Sequence, residues 1–227
     1  MITTPNHQTE QDRSTSTKTK AIQTRYDYHQ LMQQLVELGK KLCCPHFMVD
    51  DIDRPVVLKL LAYFLRDEAV APAEGIDLHK GILLTGPIGC GKTAIMHLMK
   101  RLSPESYQPK IISCRQVSFE FSRIGHDIIS LHTNRAFFPY TSVPRVHCYD
   151  DLGLEQVLNY WGNSCNVMGE ILLSRYDLMI SNKMITHVTT NLNSAELENK
   201  YGNRLRSRMR AMFNLLSYDP ASRDKRK

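Results

Sequence analysis

Apolar residues first recur at helical spacing at Leu31, Leu35, Leu38 and Leu42, which predicts a helix from Tyr26 to Leu42. A second helix is expected from about Arg54 to Asp67, burying Val57, Leu60, Leu61 and Phe64. Asp53 stands where an N-cap belongs, and Pro55 is tolerated in a first turn. Residues 1–24 are rich in Thr, Ser, Gln and Lys and offer almost nothing to bury, so they are expected to be disordered. The two helices make residues 25–77 a small helical N-terminal unit.

Near Asp77 the rhythm changes. Short β-type runs alternate with helical stretches: strands at Gly81 to Thr85, Lys110 to Cys114, Arg145 to Tyr149, Met184 to Thr190 and Phe213 to Tyr218. The intervening segments Thr93 to Leu102, Val117 to His132, Val167 to Ile180 and Ser194 to Arg210 read as helices. Five strands joined by helical crossovers predict an α/β fold with a five-stranded parallel sheet flanked by helices. This core spans residues 78–219. Asp219-Pro220 ends it, leaving residues 220–227 as a loose basic tail.

Composition narrows the class. A chain of 227 residues holds one full core and an appendage. No apolar run reaches the ~18 residues that span a bilayer, and Met1 to Lys20 has no signal-peptide core, so a cytoplasmic protein without membrane contact is expected. The six cysteines form no Cys-x-x-Cys pair, and Cys43 and Cys44 are adjacent. They are expected to be small buried thiols rather than zinc ligands or a disulfide framework. The net charge is +6, and nine Lys or Arg against two Asp lie between Lys200 and Lys227. A basic end on a nearly neutral body points to an anionic partner such as DNA.

The chemistry concentrates in Gly86-Pro87-Ile88-Gly89-Cys90-Gly91-Lys92-Thr93, where an apolar strand feeds a glycine-rich turn that opens a helix. That is the context of a phosphate-binding loop. Its amides, at a helix N-terminus, would face phosphate oxygens. Lys92 would reach the β- and γ-phosphates, the Thr93 hydroxyl would hold Mg²⁺, and Ala94 would close the nucleotide-binding set. Val146-His147-Cys148-Tyr149-Asp150-Asp151 is an apolar strand ending in two carboxylates. At the carboxyl end of a parallel strand, Asp150 would ligate Mg²⁺ and Asp151 would orient or deprotonate the attacking water. Asn191 ends another strand and would either contact the γ-phosphate or its water, or merely start a turn. From Lys200 to Asp219 no acid interrupts Arg204, Arg206, Arg208 and Arg210. These arginines could reach a neighbouring subunit's nucleotide, contact nucleic-acid phosphates, or form a solvated face.

The phosphate loop, Tyr149-Asp150-Asp151-Leu152-Gly153, Thr189-Thr190-Asn191-Leu192 and Tyr201-Gly202-Asn203-Arg204, completed by Ser207-Arg208, occur in one order. Together they resemble AAA+ ATPases of the DnaC/IstB type, the helicase loaders and transposition helpers, and within them a short Bacteroidetes-like group. The resemblance covers about Lys80 to Tyr218. It implies ATP and Mg²⁺ as cofactors, Asp150 and Asp151 as the acidic motif, Asn191 as a sensor, and Arg204 or Arg208 as an arginine finger, Arg204 first. It also implies a homo-oligomer acting with DNA and a replicative helicase or transposase. The family's helical lid is expected to be missing after the fifth strand, and Glu170 to Tyr176 resembles a structural helix of the family. Two other functions fit the same loop: a nucleotide-dependent adaptor with little hydrolysis, and a small-molecule kinase.

Overall fold

A computed structural model describes residues 25–156, 158–160 and 163–226. The tail expected to be disordered, residues 1–24, lies outside them. Helix α1, Tyr28–Leu42, starts at Asp27, whose carboxylate accepts the His29 and Gln30 amides. Helix α2, Arg54–Phe64, and the single turn α3, Val70–Ala73, follow. The core then runs β1 (Gly81–Thr85), α4 (Lys92–Leu102), β2 (Lys110–Ser113), α5 (Cys114–Ile124), α6 (Asp127–His132) and β3 (His147–Leu152). A two-stranded antiparallel hairpin, β4 (Leu158–Tyr160) and β5 (Asn163–Cys165), leads to α7 (Val167–Asn182). The chain continues through β6 (Thr186–Thr190), α8 (Ser194–Met212) and β7 (Phe213–Ser217).

The sheet has five strands in the order β2-β3-β6-β1-β7, and every pairing is parallel. Both faces are covered, as such sheets require. One face packs α1, α2 and α4 against Ile82, Leu84 and Leu216; the other packs α5, α7 and α8 against Leu83, Tyr149 and Val188. The three N-terminal helices therefore share a core with the phosphate-loop helix. Strand β6 is buried at all five positions and sits between β1 and β3, so the phosphate loop and the acidic pair emerge one strand apart at the same sheet edge.

Helix α7 is fixed by Arg175, which is fully buried. Its guanidinium donates to the Thr186 hydroxyl at 2.7 Å and to the carbonyls of His132, Arg145 and Ile185 at 2.8, 3.2 and 2.9 Å. Among the described residues it has no carboxylate partner; carbonyl dipoles hold the charge instead.

The structure departs from the sequence reading in several places, the hairpin β4–β5 among them. The stretch expected to be mostly helix to about His132 holds two helices, separated at Gly125-His126. Cys43 and Cys44 are exposed rather than buried. Asp53 occupies the N-cap position of α2 but caps nothing: its fully buried carboxylate is taken by the Ser222 hydroxyl and the Lys225 ammonium. The tail expected to be loose is therefore anchored, because a buried carboxylate needs partners and these two residues supply them.

Candidate functional site

Strand β1 ends at Thr85, and the loop that follows wraps the N-terminus of α4. Gly91, the residue before the helix, has φ +97°, a conformation that side chains other than glycine resist. The Lys92 side chain lies back across the loop, its ammonium donating to the carbonyls of Gly86 and Pro87 at 2.9 Å each. Cys90 is buried beneath. Ile88, Gly89, Gly91, Lys92, Thr93 and Ala94 line one wall of a cleft of about 970 Å³. That volume is within the range that holds a nucleotide-sized ligand.

The acidic pair sits opposite. The ladder between β3 and β6 slips between Tyr149 and Leu152, and Asp151 takes φ +56°. This irregularity breaks the strict alternation of an extended strand. Asp150 is buried and accepts the Thr93 hydroxyl at 2.9 and 3.1 Å and the Thr189 hydroxyl at 2.6 Å. Thr189 in turn accepts the Asp151 amide at 2.9 Å, so β6 positions both acids. Burial, and then the neighbouring Asp150, push the Asp151 carboxyl above its ordinary range; Lys92 and Arg226 pull it back. A carboxylate made more basic in this way is a better proton acceptor.

Asn191 lines the same cleft just beyond β6. Its Oδ1 is the single buried side-chain polar atom among the described residues without a hydrogen-bond partner. Buried polar atoms are almost always paired, so an orphan on a residue that lines the cleft marks a place for a ligand or a water.

Thr93 and Asp150 offer a hydroxyl and a carboxylate, the hard oxygen donors that Mg²⁺ takes. No three His, Cys, Asp or Glu among the described residues converge as a complete metal site. A metal at Thr93 and Asp150 would draw its other ligands from phosphate and water, which is how Mg²⁺ sits with nucleotides.

The arginines lie elsewhere. Helix α8 kinks at Gly202, where φ is +80° and ψ 162°, before the arginine-bearing segment begins. Arg204 is exposed and makes no polar side-chain contact among the described residues, while Arg208 lies over the Tyr176 ring at 5.0 Å. Neither lines the cleft. Arg206 pairs with Glu198. The loop after Asp151 is clasped to the start of this kink: buried Glu155 accepts the Gly153 amide at 2.8 Å and the Tyr201 hydroxyl, and Lys200 reaches the Gly153 carbonyl.

Two parts of the cleft were not expected from sequence. Cys43, Cys44, His46, Phe47 and Met48, just after α1, form part of the wall. The segment Asp219–Arg226 forms the rest, through Arg223, Asp224, Lys225 and Arg226. The adjacent Asp50 and Asp53, an acidic patch facing a basic run, were the available sequence signal.

No family model and no curated protein matches the chain. Solved structures do. The crystal structure of the DnaC helicase loader superposes over 77% of this chain and 94% of its own, with a TM-score of 0.51 and 17% identity. A putative primosome component from Streptococcus pyogenes serotype M3 superposes over 77% and 83%, with a TM-score of 0.52 and 17% identity. The likeness is one of fold: a parallel α/β core with the sheet flanked by helices.

Proposed function

We propose that this AAA+-fold chain binds ATP with Mg²⁺, hydrolyses it, and assembles through it on DNA or on a helicase or transposase in replication initiation or transposition. One observation carries the reading. A phosphate loop with Thr93, a proton-accepting Asp151 and an unpaired Asn191 line a single cleft at the carboxyl edge of a parallel sheet, with Asp150 buried behind Thr93 and hydrogen-bonded to it.

The residues divide the work. Lys92 and the loop amides receive the phosphates. Thr93 and Asp150 would hold Mg²⁺, which offsets charge on the β- and γ-oxygens when bound. Asp151 accepts the proton of the attacking water, and Asn191 fixes that water or the γ-phosphate. Arg204, exposed and without a side-chain partner among the described residues, suits a finger for the nucleotide of an adjacent subunit. The helicase side of the reading is supported by the fold shared with a helicase loader and with a putative primosome component.

A nucleotide-dependent adaptor with slow turnover is the second reading. It is favoured by the lining of the chain's own cleft, which includes none of the α8 arginines. Asp151→Asn separates the readings. The variant should bind Mg-ATP as well as the parent while its turnover collapses, as followed by phosphate release with and without single-stranded DNA. Turnover at the parental rate would remove Asp151 from the mechanism; no parental turnover under any condition would favour the adaptor.

A further inference from the structure

The segment Asp219–Arg226 is a strap across the mouth of the cleft, fixed along its length. The Tyr218 amide continues the β1–β7 ladder by bonding the Thr85 carbonyl at 2.9 Å. Ser222 is buried and donates to Asp53. Arg223 bonds both oxygens of Asp50, at 2.9 and 3.1 Å. The Lys225 amide donates to the Gly89 carbonyl at 3.0 Å, and its ammonium closes on Asp53. Asp224 holds the Arg226 amide at 2.9 Å and lies so close to Gly89 that a Cβ there would meet its carboxylate at 2.2 Å. Glycine at that position lets the strap lie on the phosphate loop.

The charges on the strap are therefore unequal. Arg223 and Lys225 are neutralised by Asp50 and Asp53. Among the described residues Arg226 forms no salt bridge; its charge acts on the Asp151 carboxyl, and it lines the cleft with Lys92, Thr93, Asp151 and Asn191. A guanidinium matches phosphate oxygens in pairs, and one presented from an anchored strap loses little freedom on binding.

We infer that the strap is a nucleotide-binding element and that Arg226 is a counter-charge for the terminal phosphate of a nucleoside triphosphate, lining the same cleft as Lys92. The assignment rests on the phosphate-loop reading above and adds to it a residue outside any of its motifs. It also removes the strap from the surface available to nucleic acid.

Titration calorimetry of the full chain with Mg-ATP and Mg-ADP tests it, using Arg226→Ala, Arg226→Lys and Lys92→Ala. Arg226 is exposed and forms no salt bridge among the described residues, so its variants should fold. Arg226→Ala should weaken ATP about tenfold or more, the worth of a charge-assisted contact, and leave ADP within about twofold; Arg226→Lys should recover part of the loss. Unchanged ATP affinity overturns the inference. So does tighter ATP binding, which would make the strap an inhibitory cover, or an equal loss for ATP and ADP, which would place the cation on the inner phosphates. Lys92→Ala keeps the two claims apart. If it loses ATP while Arg226→Ala does not, only the strap assignment falls. If Lys92→Ala binds normally, the phosphate-loop reading falls.

Discussion

Asp150 and Asp151 are neighbours with different work because their backbones differ. Asp150 ends a regular stretch and is tied to Thr93 and Thr189, whereas Asp151 turns at φ +56°. Arg204 and Asp151 make a sharper pair for experiment. If Arg204 serves a neighbouring subunit, Arg204→Ala should bind ATP normally and lose turnover by ~10³ to 10⁵. Mixing it with Asp151→Asn should restore activity that neither variant shows alone, because some interfaces then join an intact Asp151 to an intact Arg204. Mixed assemblies that stay inactive would exclude action across the interface. The places of the phosphate loop and of the Asp pair were legible in the sequence, since strand, glycine turn and helix are contiguous, and an Asp pair ending an apolar strand has one natural place in a parallel sheet. Arg226 was not. Its neighbours read as a charged tail, and the carboxylates that anchor the strap lie some 170 residues away.

At the scale of elements, apolar periodicity located all five sheet strands and the helices between them. It missed the hairpin β4–β5 and the break at Gly125, because three-residue strands and a mid-helix glycine leave weak periodic signals. Nor could it show what holds α7 in place. Arg175 supplies donors to three carbonyls and a hydroxyl from α6, the β3 approach and β6. A lysine cannot span that set, since its three donors radiate from one atom. Arg175→Lys should therefore destabilise the fold by about 3 kcal/mol, with buried acceptors left unpaired. Urea unfolding followed by circular dichroism measures it; a midpoint equal to the parent's would show that water or rearrangement meets those acceptors.

Over the whole molecule, three buried histidines make stability depend on pH. His187 accepts the Ile82 amide on Nδ1 at 3.0 Å, so protonation would break a bond between β6 and β1. Burial, then Arg175, lower His132 to about 4, His147 to about 2 and His187 to about 3, against 6.5 ordinarily. Between these values and 6.5 the unfolded chain binds protons that the folded chain refuses, so stability rises with pH. It is fully present above about pH 6.5 and lost on acidification, at up to ~1.4 kcal/mol per pH unit for each histidine. Urea midpoints taken from pH 7.5 to 4.5 should fall steeply below 6.5. A flat profile would mean that these rings are solvated or free to move.

The union of Asp53 with Ser222 and Lys225 also has a consequence in time. It joins parts of the chain 169 and 172 residues apart, among the widest separations bonded in the molecule. Closing so long a loop is entropically disfavoured until the sheet between its ends has formed. The strap should thus be among the last pieces to settle during refolding, and the cleft should be completed after the secondary structure. In stopped-flow refolding, the far-ultraviolet signal should recover before the capacity to bind a fluorescent ATP analogue. Asp53→Asn should widen that delay while leaving the first phase alone. Simultaneous recovery of both signals would mean that the strap docks as early as the helices it rests on.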